Sequence, residues 1–148
     1  MRASDVMTRS VVTINQRAST AEAVELMVAR AVSGLPVLDD HGGLVGILTA
    51  GDLVRRARLS DELRIGWWKK ALFGPWHIAR EYVRCHNRSV GSVMTREILC
   101  IEEDTPLARV AATFEEGQVK RLPVVKEGKV VGIVSRSDLQ WQLPGSPL

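Results

Sequence analysis

Two short segments of the chain carry the same hydrogen-bonding groups at the same spacing. Residues 46–52 read GILTAGD and residues 132–138 read GIVSRSD, so in both a hydroxyl side chain precedes an aspartate by three positions, as Thr49 with Asp52 and Ser135 with Asp138. At the start of a helix this spacing predicts a capping box, in which the two side chains satisfy unpaired backbone N–H groups. The same groups could bind a ligand. The aspartate would accept hydrogen bonds from a ribose diol, and the hydroxyl and the first helical amides would face a phosphate. The two interpretations are compatible, because a carboxylate has several acceptor sites.

Both segments belong to a longer internal duplication. Residues 119–139, VKRLPVVKEGKVVGIVSRSDL, repeat residues 32–53, VSGLPVLDDHGGLVGILTAGDL, with one extra residue in the turn of the first copy. Upstream, Val-Met-Thr at residues 6–8 recurs at residues 93–95, and Pro36 and Pro123 are separated by the same 87 residues. A duplication at fixed spacing organises the whole chain.

The pattern within each copy predicts the elements that hold these motifs. In the first copy, residues 11–14 are a strand candidate, and Ser19 with Glu22 predicts the start of a helix. Apolar runs at 35–38 and 44–48 flank a turn, and residues 49–58 predict a closing helix.

The second copy repeats this order. Residues 98–101 predict a strand, and Thr105 is expected to cap a helix whose first position is Pro106. Apolar runs at 124–125 and 130–134 flank a Glu-Gly turn, and Ser135 begins the last helix. The predicted fold is therefore α/β, with two pseudo-symmetric β-α-β-β-α repeats. Because neither repeat can close a core alone, we expect them to pack sheet to sheet about a pseudo-twofold axis.

Composition excludes several classes of protein. The chain has 148 residues, 45% hydrophobic and 25% charged, which is typical of a globular protein. No window resembles a membrane span or a signal peptide, so we expect a cytoplasmic location. The net charge of +3 is mild and no nucleic-acid-binding motif is recognisable, so no nucleic acid is expected. Basic residues are nevertheless dense at 55–58 and 69–88, and nucleic-acid binding through residues 69–88 stays open as an alternative.

A segment of different composition separates the two copies. We assign residues 1–58 to the first repeat, 59–87 to an insert, 88–143 to the second repeat and 144–148 to a flexible tail. The insert holds five of the seven aromatic residues, so it is too aromatic for a disordered linker, and its second half is expected to be helical. We expect it to pack within the subunit or in a dimer contact.

Catalytic and metal chemistry find little support in the sequence. Cys85 and His86 lie near His77, but a metal site needs three or four convergent ligands. Cys85 and Cys100 lie in dissimilar contexts, which argues against a disulfide framework. Met7 and Met94 are interpreted as packing residues. We therefore expect neither a metal site nor an enzyme.

The repeated order of elements, the Leu-Pro-Val strand, the Val-Met-Thr opening and the G-h-h-[ST]-x-x-D ending (h, apolar) together resemble a tandem pair of CBS domains, the Bateman module. The insert resembles that of some bacterial stand-alone members. The resemblance covers nearly the whole chain. It implies two clefts between the repeats, in which the base of an adenosyl ligand meets the start of a strand of one repeat and the ribose meets the aspartate of the other.

Carried onto this sequence, the resemblance implies two sets of binding residues. One cleft would combine Val32 and Ser33 with Ile133, Ser135 and Asp138. The other would combine Val119 and Lys120 with Ile47, Thr49 and Asp52. Lys120 and Arg121 stand where the first copy has Ser33-Gly34, and paired cations would strengthen hydrogen bonds to a phosphate. We therefore expect unequal clefts, with Lys120 and Arg121, and more weakly Arg136, as phosphate ligands.

The resemblance implies a regulatory module that senses AMP, ADP, ATP, NAD or S-adenosylmethionine by an allosteric change, without a catalytic cofactor. It also implies a homodimer and an effector protein or downstream domain. The principal alternative is a ligand-independent dimerisation module, in which the two aspartates serve only as helix caps.

Overall fold

The computed structural model describes residues 1–59, 80, 83, 84 and 86–140. The aromatic side chains of the insert, Cys85, His77 and the tail lie outside the described residues, and so do the predictions made for them.

The secondary structure confirms the α/β fold and its β-α-β-β-α repeats. The first copy contains α1 (Ala3–Val6), β1 (Ile14–Asn15), α2 (Thr20–Arg30), β2 (Gly34–Leu38), β3 (Leu44–Thr49) and α3 (Ala50–Leu59). The second contains α4 (Val90–Val93), β4 (Ile101–Glu102), α5 (Leu107–Gly117), β5 (Arg121–Lys126), β6 (Lys129–Ser135) and α6 (Arg136–Gln140). Each copy forms a three-stranded sheet, in the order β1-β2-β3 and β4-β5-β6.

The predicted start of α2 and the predicted turn of the second copy are both confirmed. Ser19 caps α2 as predicted, since its hydroxyl accepts a hydrogen bond from the Glu22 N–H at 3.1 Å. The Glu127-Gly128 turn is also confirmed, with the positive φ angles of 53° and 79° that a tight hairpin requires.

The Thr105 cap is wrong. Pro106 itself precedes α5, and the Thr105 hydroxyl accepts instead from the backbone N–H of Glu102 at 3.1 Å. Pro106 is therefore the N-cap residue of α5 and not its first helical residue, which is Leu107.

The first strand of each copy is shorter and later than predicted. The strands predicted at 11–14 and 98–101 are β1 and β4, and each pairs in parallel with the next strand over two residues only. Most of each predicted strand is therefore unpaired chain that leads into the sheet, because strand hydrogen bonds form only where a neighbouring strand lies alongside. The four-residue helices α1 and α4 were not predicted, since one turn is too short to show a helical period.

The chain forms two compact units, and the opening segment of each copy, which contains Val-Met-Thr, belongs to the unit of the other copy. The first-sheet unit comprises residues 12–41 and 45–96, and the second-sheet unit comprises residues 1–11, 42–44 and 97–148. The Val-Met-Thr segment at the start of each copy thus belongs to the unit built on the sheet of the other copy. The predicted repeat boundaries are boundaries along the sequence and stay predictions.

In each unit the opening segment is held by a pair of backbone hydrogen bonds. Thr8 exchanges bonds of 2.9 and 3.0 Å with Ile133 on β6. Thr95 exchanges bonds of 2.9 and 3.0 Å with Ile47 on β3. The opening segments therefore continue the hydrogen bonding of the third strand in both sheets.

Residues near the end of the insert contact α2 and the core of the first-sheet unit, to which they belong. Val83 is buried in its core, and the Arg80 guanidinium pairs with the Glu25 carboxylate on α2 at 3.2 Å. The end of the insert is therefore anchored within the subunit.

Each unit has its own apolar core, and a methionine of the opening segment is part of it. Met94 and Met7 are 7% and 8% exposed. A Cβ atom added at Gly46 would lie 2.6 Å from the Met94 Sδ, and one at Gly132 would lie 2.8 Å from the Met7 Cγ. The repeated glycines on β3 and β6 therefore leave the space that the methionines fill, which confirms the packing role predicted for Met7 and Met94.

We predict that Gly46→Ala destabilises the protein by about 1–3 kcal/mol, because the added methyl overpacks the Met94 contact. Gly51→Ala is the matched control. Its Cβ would meet only the Thr49 hydroxyl, at 3.7 Å, and alanine is favoured in a helix, so stability should rise by about 0.5–1 kcal/mol. Urea unfolding of the three proteins measures both effects. Equal stabilities for Gly46→Ala and the unsubstituted protein would contradict the packing role.

Candidate functional site

The Thr49–Asp52 motif lies where β3 passes into α3 and forms a reciprocal capping box. The Asp52 Oδ2 accepts from the Thr49 backbone N–H at 3.1 Å, and the Thr49 Oγ1 accepts from the Asp52 backbone N–H at 3.1 Å. The structural interpretation of this motif is therefore confirmed. The bonds also fix the carboxylate in one orientation.

The Ser135–Asp138 motif occupies the same place between β6 and α6 with a different arrangement. The Asp138 Oδ2 accepts from both the backbone N–H and the hydroxyl of Ser135, at 2.8 and 3.0 Å. The Ser135 hydroxyl also contacts the Ser137 hydroxyl at 2.8 Å. Within residues 1–59, 80, 83, 84 and 86–140, no donor reaches the Asp138 Oδ1.

Arg55 distinguishes the two motifs, and the prediction of site residues missed it. Its Nη2 forms a salt bridge with the Asp52 Oδ1, so both oxygens of that carboxylate have partners. Arg55 follows Asp52 by three positions on α3, a spacing at which helical side chains meet. That spacing was the available signal. The residue three positions after Asp138 is Trp141, which carries no charge.

Ser33, one of the predicted base-pocket residues of the first-sheet unit, contacts the start of α3. The Ala50 N–H donates to the Ser33 carbonyl at 2.9 Å, which ties the segment before β2 to the capping box. Val32 is half-buried, Ser33 is exposed, and Ile47 is half-buried two residues before Thr49. The structure thus joins Ser33 to the motif of its own repeat, and the predicted grouping of Val32 and Ser33 with the motif of the other repeat stays a prediction.

The second-sheet unit has the equivalent contact. The Arg136 N–H donates to the Lys120 carbonyl at 3.3 Å. Val119 and Ile133 are half-buried, as is Arg121 at the start of β5, and Lys120 is exposed. Lys120 therefore presents its ammonium group to solvent beside the start of α6.

Arg136 has a structural role beside the phosphate role predicted for it. Its Nε donates to the Val119 carbonyl at 2.9 Å, and its Nη2 donates to the Phe114 carbonyl at 3.1 Å. The Phe114 carbonyl lies in the last turn of α5 and also accepts from the Gln118 N–H at 3.0 Å. Arg136 thus helps to close that helix end, and phosphate binding would have to use its remaining N–H groups.

Together these groups suit a polar ligand with hydroxyl donors better than a metal. Oriented carboxylates accept from hydroxyl groups, half-buried aliphatic side chains can pack on a flat ring, and exposed cations can pair with a phosphate. Among the described residues, no three His, Cys, Asp or Glu side chains converge as a metal site would need. None of the described helices has both the length and the apolar composition to cross a membrane.

Comparison with curated proteins identifies relatives along nearly the full chain. A chloroplastic CBS domain-containing protein of Arabidopsis thaliana, CBSX1, is 32% identical over 127 residues, covering 80% of this chain and 52% of the relative. A CBS domain-containing protein of Dictyostelium discoideum is 30% identical over 135 residues, covering 90% and 85%. The L-aspartate semialdehyde sulfurtransferase of Methanocaldococcus jannaschii is 26% identical over 136 residues, and this chain spans 22% of its length. The chain is therefore less than two thirds as long as several of its relatives.

Solved structures agree over the fold. The structure of CBSX2 in complex with AMP is 30% identical, with a TM-score of 0.69, and the match covers 93% of this chain and 92% of that one. The CBS domain pair of MJ0100 in complex with 5′-methylthioadenosine and S-adenosyl-L-methionine is 25% identical, with a TM-score of 0.70 and coverage of 95% and 94%.

The family comparison matches the CBS domain twice, to residues 3–58 and 90–144. These two ranges correspond to the two copies of the duplication, and they exclude the whole of the insert. The chain therefore belongs to the CBS domain family, as a tandem pair.

Proposed function

We propose that this CBS pair binds an adenosine-containing molecule as a regulatory ligand. The observation that carries the proposal is the Asp138 carboxylate, which Ser135 orients through Oδ2 while Oδ1 receives no donor from the described residues. A fixed acceptor of this kind suits a ribose hydroxyl. Two relatives whose structures cover more than 90% of this chain hold AMP, or 5′-methylthioadenosine and S-adenosylmethionine, which supports an adenosyl ligand.

The roles of the residues follow from their chemistry. Asp52 and Asp138 accept from the ribose, and Thr49 and Ser135 orient them. Base contacts come from the half-buried aliphatic residues and from Ser33, the set being Val32, Ser33, Ile47, Val119 and Ile133. Phosphate contacts come from Lys120, Arg121 and Arg136. The grouping of these residues into two clefts stays a prediction.

The proposed activity is sensing rather than catalysis. Binding would favour one conformation of the pair and so alter a dimer contact or an effector surface. Such a ligand shifts the equilibrium only by its differential affinity for the two conformations, typically about 1–3 kcal/mol of coupling. The choice among AMP, ADP, ATP, NAD and S-adenosylmethionine, the homodimer, the effector and the cytoplasmic location stay predictions.

We predict a thermal shift with at least one of these five ligands. A ligand at about 100 times its Kd stabilises the folded state by roughly 2.7 kcal/mol, which a melting curve resolves readily. The double variant Asp52→Ala, Asp138→Ala should lose the shift, because both ribose acceptors are gone. Asp104→Ala, at an exposed aspartate outside both motifs, is the control and should keep it.

The same experiment separates sensing from a ligand-independent module. Without ligand, the double variant should lose about 1 kcal/mol per site, because each aspartate caps a helix. If the caps were the sole role of these residues, that loss would be the whole effect, and none of the five ligands would shift the unsubstituted protein.

We also predict that Lys120→Gln weakens AMP binding by about 3- to 10-fold and leaves adenosine binding unchanged, because only AMP offers a phosphate for a charge-assisted hydrogen bond. Lys129→Gln, at an exposed lysine on β6, is the matched control. Calorimetric titration with both ligands measures the effect. An equal loss for adenosine and AMP would show that Lys120 acts on the fold and not on the phosphate.

A further inference from the structure

The two ribose motifs differ in the charge that acts on their aspartates. The Asp52 Oδ1 is engaged by the Arg55 guanidinium, whereas no described residue donates to the Asp138 Oδ1. Both copies have a hydroxyl residue and an aspartate, and in both the Oδ2 accepts from the hydroxyl residue's backbone N–H, so the ion pair is the difference that acts on the remaining oxygen, Oδ1.

The ion pair is placed so that it can open. The Arg55 side chain is 72% exposed and Asp52 is 11% exposed, so the arginine can return to water without moving the backbone. The Asp52 Oδ2 keeps its bond to the Thr49 N–H in either state, so the carboxylate stays oriented. Opening the pair therefore frees one acceptor and leaves the capping box intact.

The strengths of the competing contacts are similar. An ion pair whose arginine is exposed contributes modest net stability, and so does one hydrogen bond from a hydroxyl to a carboxylate, because each replaces an interaction with water. A ribose hydroxyl that donates to the Asp52 Oδ1 must therefore displace the Arg55 guanidinium, at a modest cost in binding free energy. At the Asp138 motif that competition is absent among the described residues.

We propose that Arg55 is an affinity-setting latch on the Asp52 motif, so that the Asp138 motif binds a ribose more tightly and fills first. The inference rests on the proposed adenosyl function and adds an order of occupancy to it. A protein with two unequal motifs responds over a wider range of ligand concentration than one with two equal motifs.

The test isolates each motif and uses adenosine, which has no phosphate to contact Arg55. In an Asp138→Ala background, where the Asp52 motif remains, Arg55→Gln should raise the affinity for adenosine by about 3- to 10-fold, because the competing cation is removed. In an Asp52→Ala background the same substitution should have no effect. Calorimetric titration of the four proteins gives both comparisons.

Arg56→Gln is the matched control. Arg56 lies next to Arg55 on α3, but its guanidinium donates to the Val93 carbonyl at 3.5 Å and not to Asp52. Its substitution should leave adenosine affinity unchanged in the Asp138→Ala background. An increase equal to that of Arg55→Gln would show a general effect of charge rather than a latch.

Salt provides a second readout that a purely structural role would not change. Raising the ionic strength from about 0.05 to 0.5 M partly screens the ion pair, whose arginine is exposed, so adenosine affinity should rise in the Asp138→Ala protein and not in its Arg55→Gln form. A weaker affinity in Arg55→Gln would overturn the latch and make Arg55 a positioning or ligand-contacting residue. An unchanged affinity would also overturn it. If the unsubstituted protein bound neither adenosine nor any of the five proposed ligands, the proposed function would fail, and the latch with it.

Discussion

The contact between a methionine and a glycine is the constraint on which the remaining structure depends. Met94 and Met7 reach β3 and β6 because Gly46 and Gly132 have no side chain there. That approach brings Thr95 and Thr8 within hydrogen-bonding distance of Ile47 and Ile133. Two residues further along each strand is the hydroxyl residue that begins the capping box. The packing of the opening segment thus supports the strand that delivers the candidate site.

Stability and proposed function use the same atoms at the starts of α3 and α6. One oxygen of each aspartate caps backbone N–H groups, which fixes the carboxylate in place. A preorganised acceptor binds a hydroxyl group without a further loss of conformational freedom. The cap and the ligand site are therefore not alternatives, since the cap supplies the rigidity that a site needs.

The two copies share the same backbone contacts around the helix start and differ in the charged side chains nearby. Ala50 and Arg136 make the same backbone contact with the residue before the second strand of their sheet, β2 or β5, but only Arg136 extends a guanidinium to the end of the helix before that strand. Ser33 and Lys120 also occupy equivalent places with different charge. A change at an exposed position, such as Ser33 or Lys120, costs the fold little and can alter what each motif binds. Two motifs with the same backbone structure can therefore acquire different affinities for a ligand.

The sequence by itself determined the duplication, the β-α-β-β-α order within each copy, the Glu127-Gly128 turn and the reciprocal capping box of Thr49 and Asp52, because these depend on local spacing and backbone preference. At Ser135 and Asp138 it predicted the residues but not the arrangement, since the Ser135 hydroxyl donates to the Asp138 carboxylate instead of accepting from its N–H. It did not determine the limits of β1 and β4, the cap of α5, or the unit to which each opening segment belongs. Those depend on which residues meet after folding: a strand ends where its neighbour ends, and Met7 finds its glycine more than a hundred residues away. The pairing of Arg55 with Asp52 lies within one helix, so its spacing was present in the sequence, but Arg55 and Arg56 both stand within one turn of Asp52 and only the folded structure shows that Arg55 pairs with Asp52 while Arg56 reaches the Val93 carbonyl.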